Sequence, residues 1–122
     1  MRRLWPQPVA LTGYGDGAFR FGAGMRHEGG LCILPDGVYD WPHTRLEELT
    51  VHAFAAGLAA PQTAFILFGA GERHIAPPDW LMRAAIAAGM GLEVMTTAAA
   101  LRTYNVCFDE RRPPATFLLP VR

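Results

Sequence analysis

Apolar positions along this chain alternate between short unbroken runs and helical spacings, and Gly or Pro marks most of the changes between the two. The clearest passage is residues 65–105. Ala64-Phe65-Ile66-Leu67-Phe68 is an unbroken apolar run of the kind buried on both faces of a sheet, so its neighbours are expected to be parallel strands. Gly69-Ala70-Gly71 turns the chain, Pro77-Pro78 supplies the fixed φ of a helix start, and Leu81, Ala84, Ala85 and Ala88 line one helical face until Gly89. Residues 92–95 then read as a strand. Thr96 or Thr97 caps a last helix in which Ala100, Leu101, Tyr104, Cys107 and Phe108 form one stripe, with Arg102, Asn105 and Asp109 opposite. This order predicts a βαβ crossover of right-handed sense followed by a helix. It brings residues 69–72 and 95–97 to one rim of a parallel strand pair, where α/β proteins bind their ligands.

Upstream the pattern is more broken. Residues 1–8, with Arg2, Arg3, Trp5, Pro6 and Pro8, read as an irregular arm of a single domain spanning 1–122. Residues 9–13 and 18–21 read as a hairpin around Gly15-Asp16-Gly17, whereas 25–28 favour no element. Leu31-Cys32-Ile33-Leu34 is a second fully buried strand, ended by the turn residues Pro35-Asp36-Gly37, and 38–41 look extended. Leu46, Leu49, Val51, Phe54, Ala55 and Leu58 recur at helical spacing, which predicts a helix over about 50–58 capped by Thr50, with Pro61 closing the region. Pro113-Pro114 breaks the last helix, and 116–121 form a closing strand.

Composition narrows the function classes. A chain of 122 residues has room for one domain, which buries roughly two-thirds of its unfolded surface without help from disulfides or metal. With 11 basic and 11 acidic residues the net charge is +0, so the long-range field that attracts nucleic acid is missing and no nucleic-acid partner is expected. The chain contains neither serine nor lysine. A Ser-His-Asp triad, a Schiff-base lysine and the P-loop lysine are therefore excluded, whatever the cause; a GC-rich bacterial genome produces the same arginine- and alanine-rich composition. Cys32 and Cys107 stand far apart outside any C-x-x-C pair and read as buried thiols. No apolar run reaches membrane-spanning length and no signal-peptide pattern opens the sequence, so a cytoplasmic location without an integral membrane segment is expected.

Candidate chemistry is sparse. Gly69-Ala70-Gly71 invites a dinucleotide reading, but the third glycine of G-x-G-x-x-G would fall at His74 and Glu93 lies inside a strand, so the fingerprint fails. His27, His43, His52 and His74 show no metal-ligand spacing, and neither a metal nor a cofactor is expected. Cys32, in an apolar strand, is expected to be inert. No catalytic residue is assigned. What remains is a small-molecule or anion cleft where the amides of Gly69 and Gly71, the helix start at Thr96 and Thr97, and the side chains of Arg73 and His74 converge. Asp36, Arg102 and Asn105 are further cleft candidates, although Asp36 equally serves its turn and Asn105 equally ties a neighbouring loop. Tyr104 reads as a core residue with a bonded hydroxyl. Trp5, Trp41 and Trp80 are anchors for a partner wherever they prove exposed.

Four segments in register carry a resemblance: Tyr14-Gly15-Asp16-Gly17-Ala18-Phe19-Arg20-Phe21, Ile33-Leu34-Pro35-Asp36-Gly37-Val38, Phe68-Gly69-Ala70-Gly71, and residues 91–105 with Thr103-Tyr104-Asn105. Over nearly its whole length the chain resembles the small domain shared by mitochondrial complex I assembly factor 3 and the adipogenesis-associated domain protein, an Mth-type domain of unknown function. The resemblance implies an α/β fold with a central mixed sheet, helices packed on it and a small additional β layer. It also implies a non-catalytic binding or assembly-type module with a protein partner, and leaves self-association open. Two departures stand out. Ala70 replaces the threonine that relatives often carry between the glycines, and the chain shows no mitochondrial leader.

Overall fold

The computed structural model describes residues 1–60 and 62–122. Its frame is a six-stranded mixed sheet that runs from β1 (Arg2–Trp5) through β6 (Gly37–Trp41), β5 (Gly30–Leu34), β9 (Ala115–Leu118) and β7 (Phe65–Gly69) to β8 (Gly91–Met95). β7 pairs in parallel with β8 and with β9, as its unbroken apolar run predicts. β5, equally apolar, lies antiparallel between β6 and β9; burial on both faces, rather than strand direction, is what its composition reports. The helix of the crossover is α2 (Asp79–Ala87), and α3 (Thr97–Asp109) follows β8.

Strand alternation splits the core into two layers. Cys32, Leu34, Trp41, Ile66, Phe68 and Phe117 point to one face, where Leu49, Phe54 and Leu81 cover them. Trp41, Phe54, Phe68 and Phe117 form a cluster of mostly edge-on rings there, with Trp41 to Phe54 centroids 5.4 Å apart. Leu31, Ile33, Val38, Leu67 and Leu118 point the other way, against Ala100, Leu101 and Tyr104 of α3 and against Leu11, Phe19 and Phe21. These last three belong to the additional β layer, an antiparallel sheet of β2 (Leu11–Gly15), β3 (Ala18–Phe21) and β4 (Met25–Glu28). Its first turn holds Asp16 at φ 54° and Gly17 at φ 74°, the left-handed pair that suits the twist of a two-residue hairpin.

Three local expectations need correction. Residues 2–5 form a strand rather than part of an irregular arm: β1 pairs with β6, Arg2 opposite Asp40, and as an edge strand it keeps its arginines in water. The helix expected over 50–58 is instead two 3-10 turns, Leu46–Glu48 and Val51–Phe54, leading into α1 (Ala55–Leu58). Thr50 makes no side-chain cap there; it is extended, and its carbonyl accepts from Ala53 N at 3.0 Å. The Trp41 indole donates to the Ala53 carbonyl at 2.8 Å and anchors the junction to the sheet. On α2, Leu81 and Ala85 are buried, but Ala88 lies past the helix end and is exposed. The Pro61 boundary falls outside the described residues.

α3 ends in a Schellman motif. Arg112 N donates to the Cys107 carbonyl and Arg111 N to the Phe108 carbonyl, both at 2.9 Å, while Arg111 takes φ 61°. A glycine normally occupies that position, and a side chain there costs about 1–2 kcal/mol. Just inside the described span, Thr63 gives its hydroxyl proton to the Ala60 carbonyl at 2.8 Å.

Candidate functional site

The rim formed by the ends of β7 and β8 and the start of α3 exists, and its polar groups are spent on one another. Thr96 is the cap, its Oγ1 accepting from Ala99 N at 3.2 Å. Thr97 is buried one residue further in; its Oγ1 accepts from Gly71 N at 3.0 Å and donates to the Leu119 carbonyl at 2.8 Å. Thr97 N returns a bond to the Gly71 carbonyl, Ala70 N reaches the Met95 carbonyl, and Leu119 N reaches the Gly69 carbonyl, each at 2.9 Å. Gly69 is there for contact with α3. A Cβ on it would lie 2.7 Å from Leu118 Cδ2 and 3.0 Å from Thr97 Cα.

Outside this knot lies an open cavity of about 230 Å³. Gly71 and Thr96 line it together with Tyr14, Glu72, Ala98 and Arg122, and the Glu72 carboxylate accepts from Arg122 N at 3.2 Å. Thr97 and Gly69 sit beneath the surface, while Arg73 and His74 are exposed and outside the lining. The expected convergence of cations and free amides on this rim is therefore not what the fold builds. The amide of Gly71 has a partner already, and the charged side chains of the lining are one acid, Glu72, and one arginine, Arg122.

The further candidates lie elsewhere. β5 runs against β9 and β7, so the Pro35-Asp36-Gly37 turn is at the opposite end of the sheet from Thr97. Asp36 is exposed and serves its turn, accepting from the Tyr39 hydroxyl at 2.8 Å while its carbonyl accepts from Arg3 at 3.1 Å. Arg102 points to solvent. Asn105 grips the backbone of Leu11, and the neighbouring Tyr104 hydroxyl donates to the Val9 carbonyl at 2.8 Å. Burial pushes the Tyr104 phenol well above its ordinary range, and that bond only partly offsets it. Burial also pushes the Cys32 thiol far up, with Asp36 adding to the effect, so Cys32 is no nucleophile. Among the described residues no three His, Cys, Asp or Glu side chains are grouped to hold a metal.

A model of the DUF498/DUF598 family, described as a protein of unknown function, matches residues 11–119. The chain belongs to this DUF498 family. The matched span opens at Leu11, the residue Asn105 grips, and closes at Leu119, the residue Thr97 holds, so both side-chain ties act at the family's borders. An uncharacterized protein of Rhodobacter capsulatus is 36% identical over 113 residues, covering 93% of this chain and 86% of its own. A crystal structure of an outer membrane protein from Bartonella henselae is similar at TM-score 0.90 and 30% identity, covering 98% of this chain and 100% of that one. A solution structure of a Bordetella pertussis protein, a Mth938-like domain, is similar at TM-score 0.75 and 29% identity, over 97% and 92%. The mixed α/β sheet with its smaller antiparallel sheet is thus the Mth938-like arrangement. No helix among the described residues is long and apolar enough to cross a membrane.

One exposed apolar surface was anticipated only at Trp80. α2 packs Leu81 inward but exposes Trp80 (37%), Met82 (39%) and Ile86 (72%), beside the open edge of β8. The signal was present, since Met82 and Ile86 stand one helical turn apart, off the Leu81 stripe. Of the tryptophans considered as anchors, Trp41 is core, whereas Trp5 and Trp80 reach solvent.

Proposed function

We propose that this DUF498 chain is a non-catalytic binding or assembly-type module, acting in the cytoplasm on a protein partner in the manner its resemblance to complex I assembly factor 3 implies. The carrying observation is Ile86, 72% exposed on α2 one helical turn from the exposed Met82. Large apolar side chains exposed side by side lose water when a partner covers them, which favours association. The rim adds support from the other side: its hydroxyls and amides are engaged internally, which suits a scaffold better than a reaction centre.

The test is co-purification from the native host with tagged wild-type chain and Ile86→Glu, followed by reconstitution with the purified partner. One protein enriched by the wild type, lost with I86E at unchanged thermal stability and rebinding in reconstitution, is expected. Equal enrichment by both chains, or none by either, overturns the proposal.

A second reading, a small-molecule or anion-binding protein or enzyme using residues 69–74 and 96–97, is favoured by the cavity beside Gly71 and Thr96. Its wall sets Glu72 beside Arg122, so the two charges offset each other toward an anion. Titration with phosphate and small carboxylates at millimolar concentration, without amide shifts at Gly71 or Thr97, removes it.

A further inference from the structure

We propose that a small organic anion with an apolar body binds at the end of the sheet opposite Thr97, in the cleft headed by Arg111 and Arg112. Two adjoining hollows, of about 330 and about 400 Å³, share Pro8, Arg111 and Pro113 as common walls. The first adds Pro35 and Arg112; the second adds Phe108 and Asp109. Each is of the size that holds a small ligand.

The charge pattern gives the ligand a direction. Arg111 and Arg112 both line the first hollow, so an anionic head belongs there, where a guanidinium fork suits a carboxylate or phosphate. The Thr63 hydroxyl in that wall gives its proton to Ala60, which leaves the arginines and the Gln62 amide as the side-chain donors. Phe108 and the prolines offer the second hollow to an apolar body, and Asp109 at its wall repels a second negative charge. A monoanionic or terminally charged molecule fits; a dicarboxylate does not.

The backbone makes Arg111 more than a helix-end charge. Arginines after a helix C-terminus do offset its negative pole, but that role is open to unstrained positions in the last turn, which here hold Asp109 and Glu110. Arg111 instead stands at φ 61°, where glycine would be favoured. A side chain kept at the strained position, facing two hollows, marks a site where function outweighs stability. Glu110 engages Arg112 only at 3.5 Å and in solvent, which leaves that guanidinium open to a ligand.

The experiment uses the isolated chain, so its outcome is independent of the Ile86 surface. Phenyl phosphate and benzoate are titrated separately while amide shifts are followed, with inorganic phosphate lacking the body and benzylamine carrying the opposite charge. Saturable shifts at Thr63, Ala64, Arg111 and Arg112 are expected for one or both aromatic anions, the tighter of the two identifying the head group. Inorganic phosphate should bind at least about tenfold more weakly. Arg111→Gly should raise the melting temperature by about 4 °C through relief of the strain, yet weaken the aromatic anion by at least about tenfold. Absence of saturable shifts up to about 10 mM, equal binding of benzylamine, or unchanged affinity in R111G overturns the proposal.

Discussion

Asn105 holds Leu11 by both of its backbone groups, accepting from Leu11 N at 2.9 Å and donating to the Leu11 carbonyl at 2.8 Å. An amide side chain thereby does what a neighbouring strand would do, at the point where β2 begins. With Tyr104 on Val9, it docks the small sheet on α3. Asn105→Ala leaves both Leu11 groups unpaired in a half-buried setting and should destabilise the chain by about 1–3 kcal/mol in urea unfolding. Hydrogen exchange should quicken in β2 and β3 before it does in β7. Asn105→Asp keeps an acceptor but loses the donor, and should recover only part of the loss.

Thr97 ties three segments through one hydroxyl, so its replacement separates shape from bonding. Thr97→Val preserves volume and removes both hydrogen bonds, for an expected loss of about 2–4 kcal/mol. Thr97→Ser keeps the bonds and should lose less than half of that. Equal losses for the two would show that the methyl, not the hydroxyl, holds the rim.

Gly69 and Gly71 should respond differently to alanine although they sit in the same turn. At Gly69 the new Cβ meets Leu118, Thr97 and Ala100 within 3.1 Å, a packing conflict costing about 1–3 kcal/mol. At Gly71 nothing lies within 4 Å, but φ is 103°, so the cost is backbone strain. Thermal unfolding of the two variants measures the totals. Shifted α3 amides in G69A, against shifts confined to the turn in G71A, distinguish the mechanisms.

Alkaline pH should unfold the chain early. Folding raises the phenol of Tyr104 and the thiol of Cys32 above their ordinary values of 10.0 and 9.0. The folded state thus keeps protons that the unfolded state has released, and its stability, intact below about pH 9, falls as pH rises. Each group contributes a slope of about 1.4 kcal/mol per pH unit above its ordinary value. Urea unfolding midpoints between pH 8 and 11 should decline, and Tyr104→Phe should flatten the upper part of that decline.

Cysteine labelling should be selective for a related reason. Cys107 is half-buried on α3 while Cys32 is sealed inside the sheet, so a thiol reagent at neutral pH should modify Cys107 first and Cys32 only at the rate of global unfolding.

What the sequence made legible follows from how strongly each segment's burial constrains its composition. β5 and β7 are covered on both faces, which leaves room for little but apolar residues, and both were readable as runs. α3 was readable because its stripe is buried and Thr96 is a true cap. β1 was not, since only Leu4 is half-buried and an edge strand needs no apolar alternation. The 3-10 turns before α1 share i, i+3 spacing with a helix, so periodicity does not separate them. The rim was located correctly by topology, but whether an amide meets a ligand or a neighbouring hydroxyl depends on Leu119, fifty residues downstream of Gly69, and no local pattern carries that. The Arg111 cleft was hidden likewise: Pro8, Pro35 and Pro113 meet there only after folding.

β9 is the last strand along the chain, yet it lies between β5 and β7. Among the described residues the β1-β6-β5 half and the β7-β8 half share no direct pairing, so a nascent polypeptide halted at Pro114 carries two sheets with unzipped inner edges and no bridge. Residues 115–118 must leave the ribosome before the central layer closes, and until then both half-sheets present unpaired edges to aggregation.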